Sequence, residues 1–259
     1  MSHTGYPPWV VLHIPHDSLV TPDDVRPQFL LTDPDLALEL RRMTDHFTHA
    51  LFAEPCTEAT VVRAPVSRLV IDVERFSDDA REPMAATGMG AVYEVTSHLA
   101  PLRRRLSPEE RQALMRAWYH PHHEQLEAAV AAAVDRHGRC VVIDCHSFPS
   151  VALPYEQADP EVARPDICIG TDDFHTSNAL MDAFVSAFRC QGWSVSVNEP
   201  FSGALVPSSR FRTDRRVAAV MVEVNRCVYL REEDSTPLLD FGAISGRVRE
   251  CCRWALNAV

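Results

Sequence analysis

The chain has 259 residues, which suits one large α/β domain, and its 46% apolar and 24% charged residues are those of an ordinary soluble globular protein. A net charge of −11 argues against nucleic acid as a partner. There is no run of 18 apolar residues, and residues 1–8 lack the basic start and apolar stretch of a signal peptide, so a cytoplasmic protein without membrane association is expected. The first apolar run, Trp9 to Ile14, predicts a buried strand. The stretch 17–33 is rich in Pro and Asp and reads as a loop. Pro34 then stands at a first-turn position with Thr32 or Asp33 as the cap. Leu36, Leu40, Met43, Phe47 and Leu51 recur at helical spacing, which predicts one helix to about Phe52. Strands are expected near Thr60 to Ala64 and Arg68 to Val73. The stretch 77–106 shows no strong period and reads either as a functional loop or as a solvated connection.

Ser107-Pro108-Glu109-Glu110 combines a cap, a first-position proline and first-turn acids. It predicts a helix to His137, ended by Gly138 and kinked at Pro121. Further strands are expected over Cys140 to Asp144, Ile167 to Gly170, Ser194 to Val197 and Val217 to Val224, with helices over Thr176 to Cys190 and Phe241 to Ala258. Strands alternating with helices predict a single domain, 1–259, built as a three-layer α/β/α sandwich around a mixed, mostly parallel sheet.

Lysine is absent, so all 25 permanently cationic side chains are arginine. A composition bias explains this simply, but it also removes Schiff-base chemistry and leaves bidentate recognition of carboxylates. The eight cysteines form no Cys-x-x-Cys pair, so free thiols in a reducing compartment are expected rather than a zinc ribbon.

Four polar motifs close the apolar runs: His13-Ile14-Pro15-His16, Asp72-Val73-Glu74-Arg75, Asp144-Cys145-His146-Ser147 and Glu223-Val224-Asn225-Arg226. In open α/β sheets, ligands bind beyond the carboxyl ends of the strands. Histidines, carboxylates and arginines gathered there point to a metal-dependent hydrolase. A lone histidine more often bonds a loop carbonyl, but a second histidine motif moves His146 and His16 towards a metal. His13 reads as a histidine ordering the loop or supporting the ligands. A zinc hydrolase uses three protein ligands and leaves one position open. Asp45, on the polar side of the first helix, is the candidate third ligand, with Asp17 and Asp72 as rivals and a solvated surface acid as the plain alternative.

Glu223 closes an otherwise apolar strand, where an unpaired carboxylate is costly. Either it pairs with an arginine such as Arg226 or it serves as a general base. Arg63, Arg68, Arg75 and Arg226 flank strand ends and suit a substrate carboxylate or a developing oxyanion. Asp72 and Asp144 are expected to support neighbours or cap helices. Cys145 and His146 point to opposite faces of a strand, Ser147 lacks nucleophile-elbow glycines, and no Gly-rich phosphate loop is present.

From His13 to Leu230, the ordered set Pro15-His16, Asp72-Val73-Glu74-Arg75, Asp144-Cys145-His146-Ser147, Gly170-Thr171, Asn198-Glu199-Pro200-Phe201-Ser202-Gly203 and Glu223-Val224-Asn225-Arg226 resembles the N-formylglutamate amidohydrolases. The resemblance implies a zinc-carboxypeptidase-like fold and one catalytic Zn2+. In it, His16 and His146 match the histidine ligands, Asp45 a family aspartate on the first helix, and Glu223 the catalytic glutamate. Arg75 matches the substrate-contacting arginine, and Asn198 and Gly203 the loop that closes over the site. Two departures stand out: Asp17-Ser18 follow His16 in place of Ser-Gly, and Glu74 stands where the pattern has Asn. A glutamate there repels a dianionic substrate unless an arginine neutralises it.

The expected activity is zinc-dependent hydrolysis of an N-formyl or other N-acyl amino acid, foremost N-formyl-L-glutamate to formate and L-glutamate. Its partner is thus a small anionic N-acyl amino acid. Glu223 would take the proton of the attacking water and pass it to the amine, while Arg75 or Arg63 helps at the oxyanion. Arg68 and Arg226 are further candidates for substrate binding. Two alternatives stand beside this reading: an N-acyl amino acid or peptide hydrolase of different side-chain specificity, and a non-catalytic binding protein on the same fold.

Overall fold

Runs that are apolar on both faces build a sheet covered on both sides. In the computed structural model, which describes residues 5–53 and 59–258, four such runs and two less buried edge strands form one sheet. Residues 1–4 and Cys56, which carried part of the targeting and thiol expectations, lie outside the described residues. The strands are β1 (Val10–Ile14), β2 (Thr60–Arg63), β3 (Cys140–Phe148), β4 (Ile167–Gly170), β5 (Val195–Val197) and β6 (Val217–Asn225). Their order is β2-β1-β3-β6-β4-β5. All neighbours pair in parallel except β4 and β6, which are antiparallel.

The helices are α1 (Asp33–Met43), α2 (Thr48–Phe52), α3 (Pro108–Leu114), α4 (His120–His137), α5 (Asn178–Cys190) and α6 (Phe241–Asn257). Phe52 of α2, Phe184 and Phe188 of α5 and Val248 and Cys252 of α6 pack on Leu12, Ile143 and Val222. Leu126, Val130 and Val134 of α4 cover Val11, Val142 and Ala219 on the opposite face. The result is the expected three-layer α/β/α arrangement. The seven described cysteines are free thiols. Among the described residues, no helix is long and apolar enough to cross a membrane.

Four elements differ from the sequence expectation. The first helix does not run to Phe52: Thr44 is extended and Phe47 left-handed (φ 63°), so α1 and α2 are separated by a break at 44–47. The Asp45 N–H leaves the helical ladder and donates to the His16 carbonyl at 2.9 Å. The run Arg68 to Val73 is not a strand. Its amides turn inward on Ser67, with Val70 N to Ser67 O at 2.9 Å and Leu69 N to Ser67 Oγ at 3.1 Å, while Leu69, Val70 and Ile71 bury beside Met89, Tyr93 and Leu102. The stretch 77–106 therefore contributes a small core of its own rather than a solvated connection. Finally, β3 continues past Asp144 to Phe148, carried by pairing with β6 as far as Phe148 opposite Asn225.

The long helix predicted from Ser107 holds as α3 and α4 joined through a π-turn at Met115–Tyr119. Pro121 offers no N–H to the preceding turn, and its ring crowds the carbonyl four residues back; the widened turn relieves both. At the start, the Ser107 side chain accepts from Glu110 N at 3.2 Å, and the Glu110 carboxylate accepts from Ser107 N at 2.8 Å, a reciprocal cap. Ser107→Ala is expected to cost ~1 kcal/mol, read as a lowered urea midpoint at unchanged slope.

Candidate functional site

Side chains alternate along a strand, so residues two apart share a face. On the face under α4, Val11 is followed by His13 in β1, Cys140 and Val142 by Asp144 and His146 in β3, and Val217 and Ala219 by Glu223 in β6. The register sets His13 beside Asp144 and His146 beside Glu223. The sequence thus switches from apolar to ionisable on one face, towards the carboxyl ends of three adjacent parallel strands. His122, in the first turn of α4, meets this face with Nε2 2.8 Å from His13 Nε2.

His16 and His146 face each other, their ring centroids 5.0 Å apart. His16 Nε2 lies 2.8 Å from Asp72 Oδ1 and His146 Nε2 3.0 Å from Asp144 Oδ1. Both rings turn Nδ1 towards Asp45 Oδ2, at 3.6 Å from His16 and 3.0 Å from His146. His16 Nδ1 is buried and has no hydrogen-bond partner. Imidazoles whose far nitrogens are held by carboxylates are oriented as metal ligands are. His16, Asp45 and His146 are all buried and close enough to share one ion.

Asp45 is oriented in turn by Arg226 Nη2, 3.3 Å from Oδ1, and by Ser147 N, 3.3 Å from Oδ2. Burial would raise its pKa, but His146 and His16 hold it below the usual carboxylate range. Burial would lower the pKa of His146; Asp144 and Asp45 outweigh that and hold it well above the ordinary imidazole value. The pocket therefore favours positive charge at its centre, whether proton or metal ion. Asp72 is kept ionised against its burial by His16 and Arg68, with Arg68 Nη2 at 2.9 Å and the Tyr93 hydroxyl also donating to it.

Glu223 is 7% exposed, and its Oε2 is buried without a hydrogen-bond partner. Burial, aided by Asp45 and Asp144 and opposed by His146 and Arg68, pushes its pKa up to about 8. A carboxyl group that exchanges its proton near neutral pH suits general acid–base work. The ion-pair alternative with Arg226 is not formed: Arg226 goes to Asp45, to the Arg42 carbonyl at 2.7 Å and to Ser147. His16, Asp45, His146 and Glu223 open onto a cavity of about 980 Å³, which is also lined by Arg68, Arg75, Arg226 and Gly203.

A sequence profile of the N-formylglutamate amidohydrolases matches residues 9–230. The chain belongs to the N-formylglutamate amidohydrolase family. An N-formylglutamate deformylase of Pseudomonas aeruginosa is 28% identical over 211 residues, covering 78% of this chain and 77% of the relative. Another, from Pseudomonas putida, is 25% identical over 241 residues, or 90% of this chain and 85% of the relative. The crystal structure of an N-formylglutamate amidohydrolase from Ralstonia eutropha JMP134 matches with a TM-score of 0.83 at 22% identity, covering 98% of this chain and 95% of that one. A gene product of Agrobacterium tumefaciens matches with a TM-score of 0.65 at 21% identity over 96% and 90% of the two chains. At these identities the solved structures speak for the fold alone.

Some residues singled out in the sequence do not reach the cavity. Arg63 closes the edge strand β2, is 47% exposed and pairs with Asp17 at 3.1 Å, so neither Arg63 nor the rival ligand Asp17 sits at the centre. Asn198, left-handed at φ 58° and exposed, bonds Thr171 through both ends of its amide and braces that turn instead of touching the cavity. Gly203 (φ 94°) does line it. A Cβ on Gly170 would clash with the Gly203 carbonyl oxygen and with Met221 Cε. Gly170→Ala is therefore expected to push the 201–203 loop outward, costing ~1–3 kcal/mol of stability and raising KM; an unchanged melting temperature would contradict it.

Of the arginines, Arg68 is spent on Asp72 and the Tyr93 hydroxyl. Arg75 keeps looser company, 3.8 Å from Asp72 and 4.0 Å from Glu82, with its Nε unpartnered. Neither His122 nor His123 stands out as a site residue in the sequence, and Glu74 does so only as a departure from the family pattern. His123 Nε2 lies 2.9 Å from the Val73 carbonyl oxygen, and the Tyr119 hydroxyl donates to the Arg75 carbonyl at 2.8 Å, so the start of α4 braces the motif 72–75. The signal was the cluster His120-Pro121-His122-His123 directly after a helix-straining proline.

Proposed function

We propose that this chain hydrolyses the formamide bond of an N-formyl amino acid, foremost N-formyl-L-glutamate, at a zinc ion held by His16 Nδ1, His146 Nδ1 and Asp45. The observation that carries the reading is the buried, unpartnered His16 Nδ1, turned towards His146 and Asp45 while Asp72 holds the opposite nitrogen. Two imidazole nitrogens and one carboxylate oxygen are a donor set that catalytic zinc accepts, with a position left for water. When bound there, the ion would polarise the acyl carbonyl and lower the pKa of water to about 7.

The protein's own groups do the rest. Glu223 receives the proton of the attacking water and delivers it to the departing nitrogen as the C–N bond breaks, giving formate and the free amino acid. Asp72 and Asp144 keep the histidines in the tautomer that leaves Nδ1 free. Arg75 supplies the guanidinium for the substrate carboxylate. Arg75→Ala is expected to raise KM for an anionic substrate ~10-fold or more, since a charged hydrogen bond is worth ~1.5–3 kcal/mol; unchanged kinetics would place the anion site elsewhere.

A second reading, an N-acyl amino acid hydrolase of other side-chain preference, draws on Glu74, which also lines the cavity. The test is formate release from N-formyl-L-glutamate against a panel of N-formyl and N-acetyl amino acids, by protein stripped with chelator and restored with zinc. Zinc-restored turnover led by N-formyl-L-glutamate supports the proposal. No turnover of any of them with zinc bound would leave only a binding role.

A further inference from the structure

We propose a second divalent-cation site beside the first, formed by His13 Nδ1, Glu74 Oε1 and Asp144 Oδ1. Each of the three residues offers one ligand atom within 4.8 Å of the other two. His13 Nδ1 is 2.8 Å from Asp144 Oδ1 and 3.1 Å from Glu74 Oε1. A tetrahedral ion with bonds of about 2.1 Å separates its ligands by roughly 3.4 Å, so the two distances from His13 Nδ1 need to open by only tenths of an ångström. One imidazole nitrogen and two carboxylate oxygens suit zinc or manganese.

The surroundings are arranged for such an ion. His13 Nδ1 has a single N–H, and Asp144 takes it; Glu74 Oε1, though near, is buried without a hydrogen-bond partner. That stranded oxygen parallels the stranded His16 Nδ1 of the first site. With Nδ1 given to a cation, the other nitrogen of His13 would carry the proton and donate it to His122 Nε2, already 2.8 Å away, which fixes the ring as metal-bound histidines are fixed. Asp144 is held by Leu205 N at 2.9 Å on Oδ2 and by His146 Nε2 at 3.0 Å on Oδ1. Since His146 turns its other nitrogen to Asp45, the two sites are joined through one imidazole and one carboxylate. His13 and Asp144 are fully buried, and the partly exposed Glu74 side chain stands at the cavity wall, where an ion can enter.

The inference rests on the zinc reading above only for the total count, and counting separates the two. Protein stripped by chelation, reloaded with excess zinc chloride and desalted is measured by plasma mass spectrometry, with circular dichroism confirming the fold of every variant. Two equivalents are expected for the parent chain. Glu74→Gln, which keeps shape at the cavity wall, and His13→Gln should each hold one, and His16→Ala should also lose one. A parent holding a single equivalent, or Glu74→Gln retaining two, overturns the second site and leaves the protonated His13 as a clamp on Asp144. A His16→Ala protein with the parent's full count would instead overturn the first site.

Discussion

Glu223→Gln is expected to lower kcat on an N-formyl substrate by ~10²–10⁴-fold while the zinc content stays that of the parent. Glutamine keeps the shape but can neither accept nor return a proton. The carboxyl sits where β6 brings it beside His146, with a buried oxygen that no protein group claims. The loss should fall on kcat with little change in KM, because the group acts on the water and the leaving nitrogen. The variant should also fold well. A carboxyl whose pKa rises from 4.5 to about 8 on folding binds more protons in the native than in the unfolded state. For the metal-free protein its charged form therefore costs stability that grows as pH rises from 4.5 towards 8, a cost absent in glutamine. The variant's melting temperature should match the parent's near pH 4.5 and exceed it near pH 8. Near-normal kcat would remove Glu223 from the chemistry.

The parts of this picture that were legible in the sequence are those with a local cause. Val141-Val142-Ile143 and Val220-Met221-Val222 are apolar on both faces, so central parallel strands followed directly, and with them the placement of His146 and Glu223 at one level of the sheet. Ser107-Pro108-Glu109-Glu110 is a complete helix start, and it formed as one. What stayed hidden has a distant cause. The spacing from Leu36 to Leu51 is helical throughout, yet the helix opens at 44–47, because the Asp45 carboxylate finds His146, Ser147 N and Arg226, all more than 100 residues away. Leu69-Val70-Ile71 has strand composition, but its partners are the buried side chains of 89–102, not a neighbouring ladder. Glu74 and His122 carry no periodic signal: one lies in a turn and the other in a helix turn beside a proline, and both meet His13 only through tertiary contact. Arg63 looked like Arg75 in sequence, each flanking a strand-like run; the difference is that β2 lies at the sheet edge, where solvent and Asp17 take the guanidinium.

Asp45→Asn should show how much of this centre is electrostatic. Its oxygens lie 3.0 Å from His146 Nδ1 and 3.3 Å from Arg226 Nη2, and its backbone N–H closes the break between α1 and α2 onto His16. Replacing the carboxylate with an amide leaves the buried Arg226 without its counter-charge, while His146 keeps only that of Asp144. Breaking a buried pair by neutralising one partner costs ~3–5 kcal/mol, because the remaining charge stays desolvated. The metal-free variant is expected to lose stability of that order, read as a lower urea midpoint. In the zinc-loaded protein the His16/His146 centre should lose its ion and turnover should disappear, whereas the rival Asp72 remains tied to His16 Nε2 and the rival Asp17 to Arg63, so neither can take its place. A double-mutant cycle with Arg226→Met separates the two effects. If the stability loss comes from the stranded guanidinium, removing it as well should restore much of the midpoint without restoring zinc. Full zinc content and turnover in Asp45→Asn would move the third ligand elsewhere, and strict additivity in the cycle would show that the carboxylate does not hold Arg226 in place.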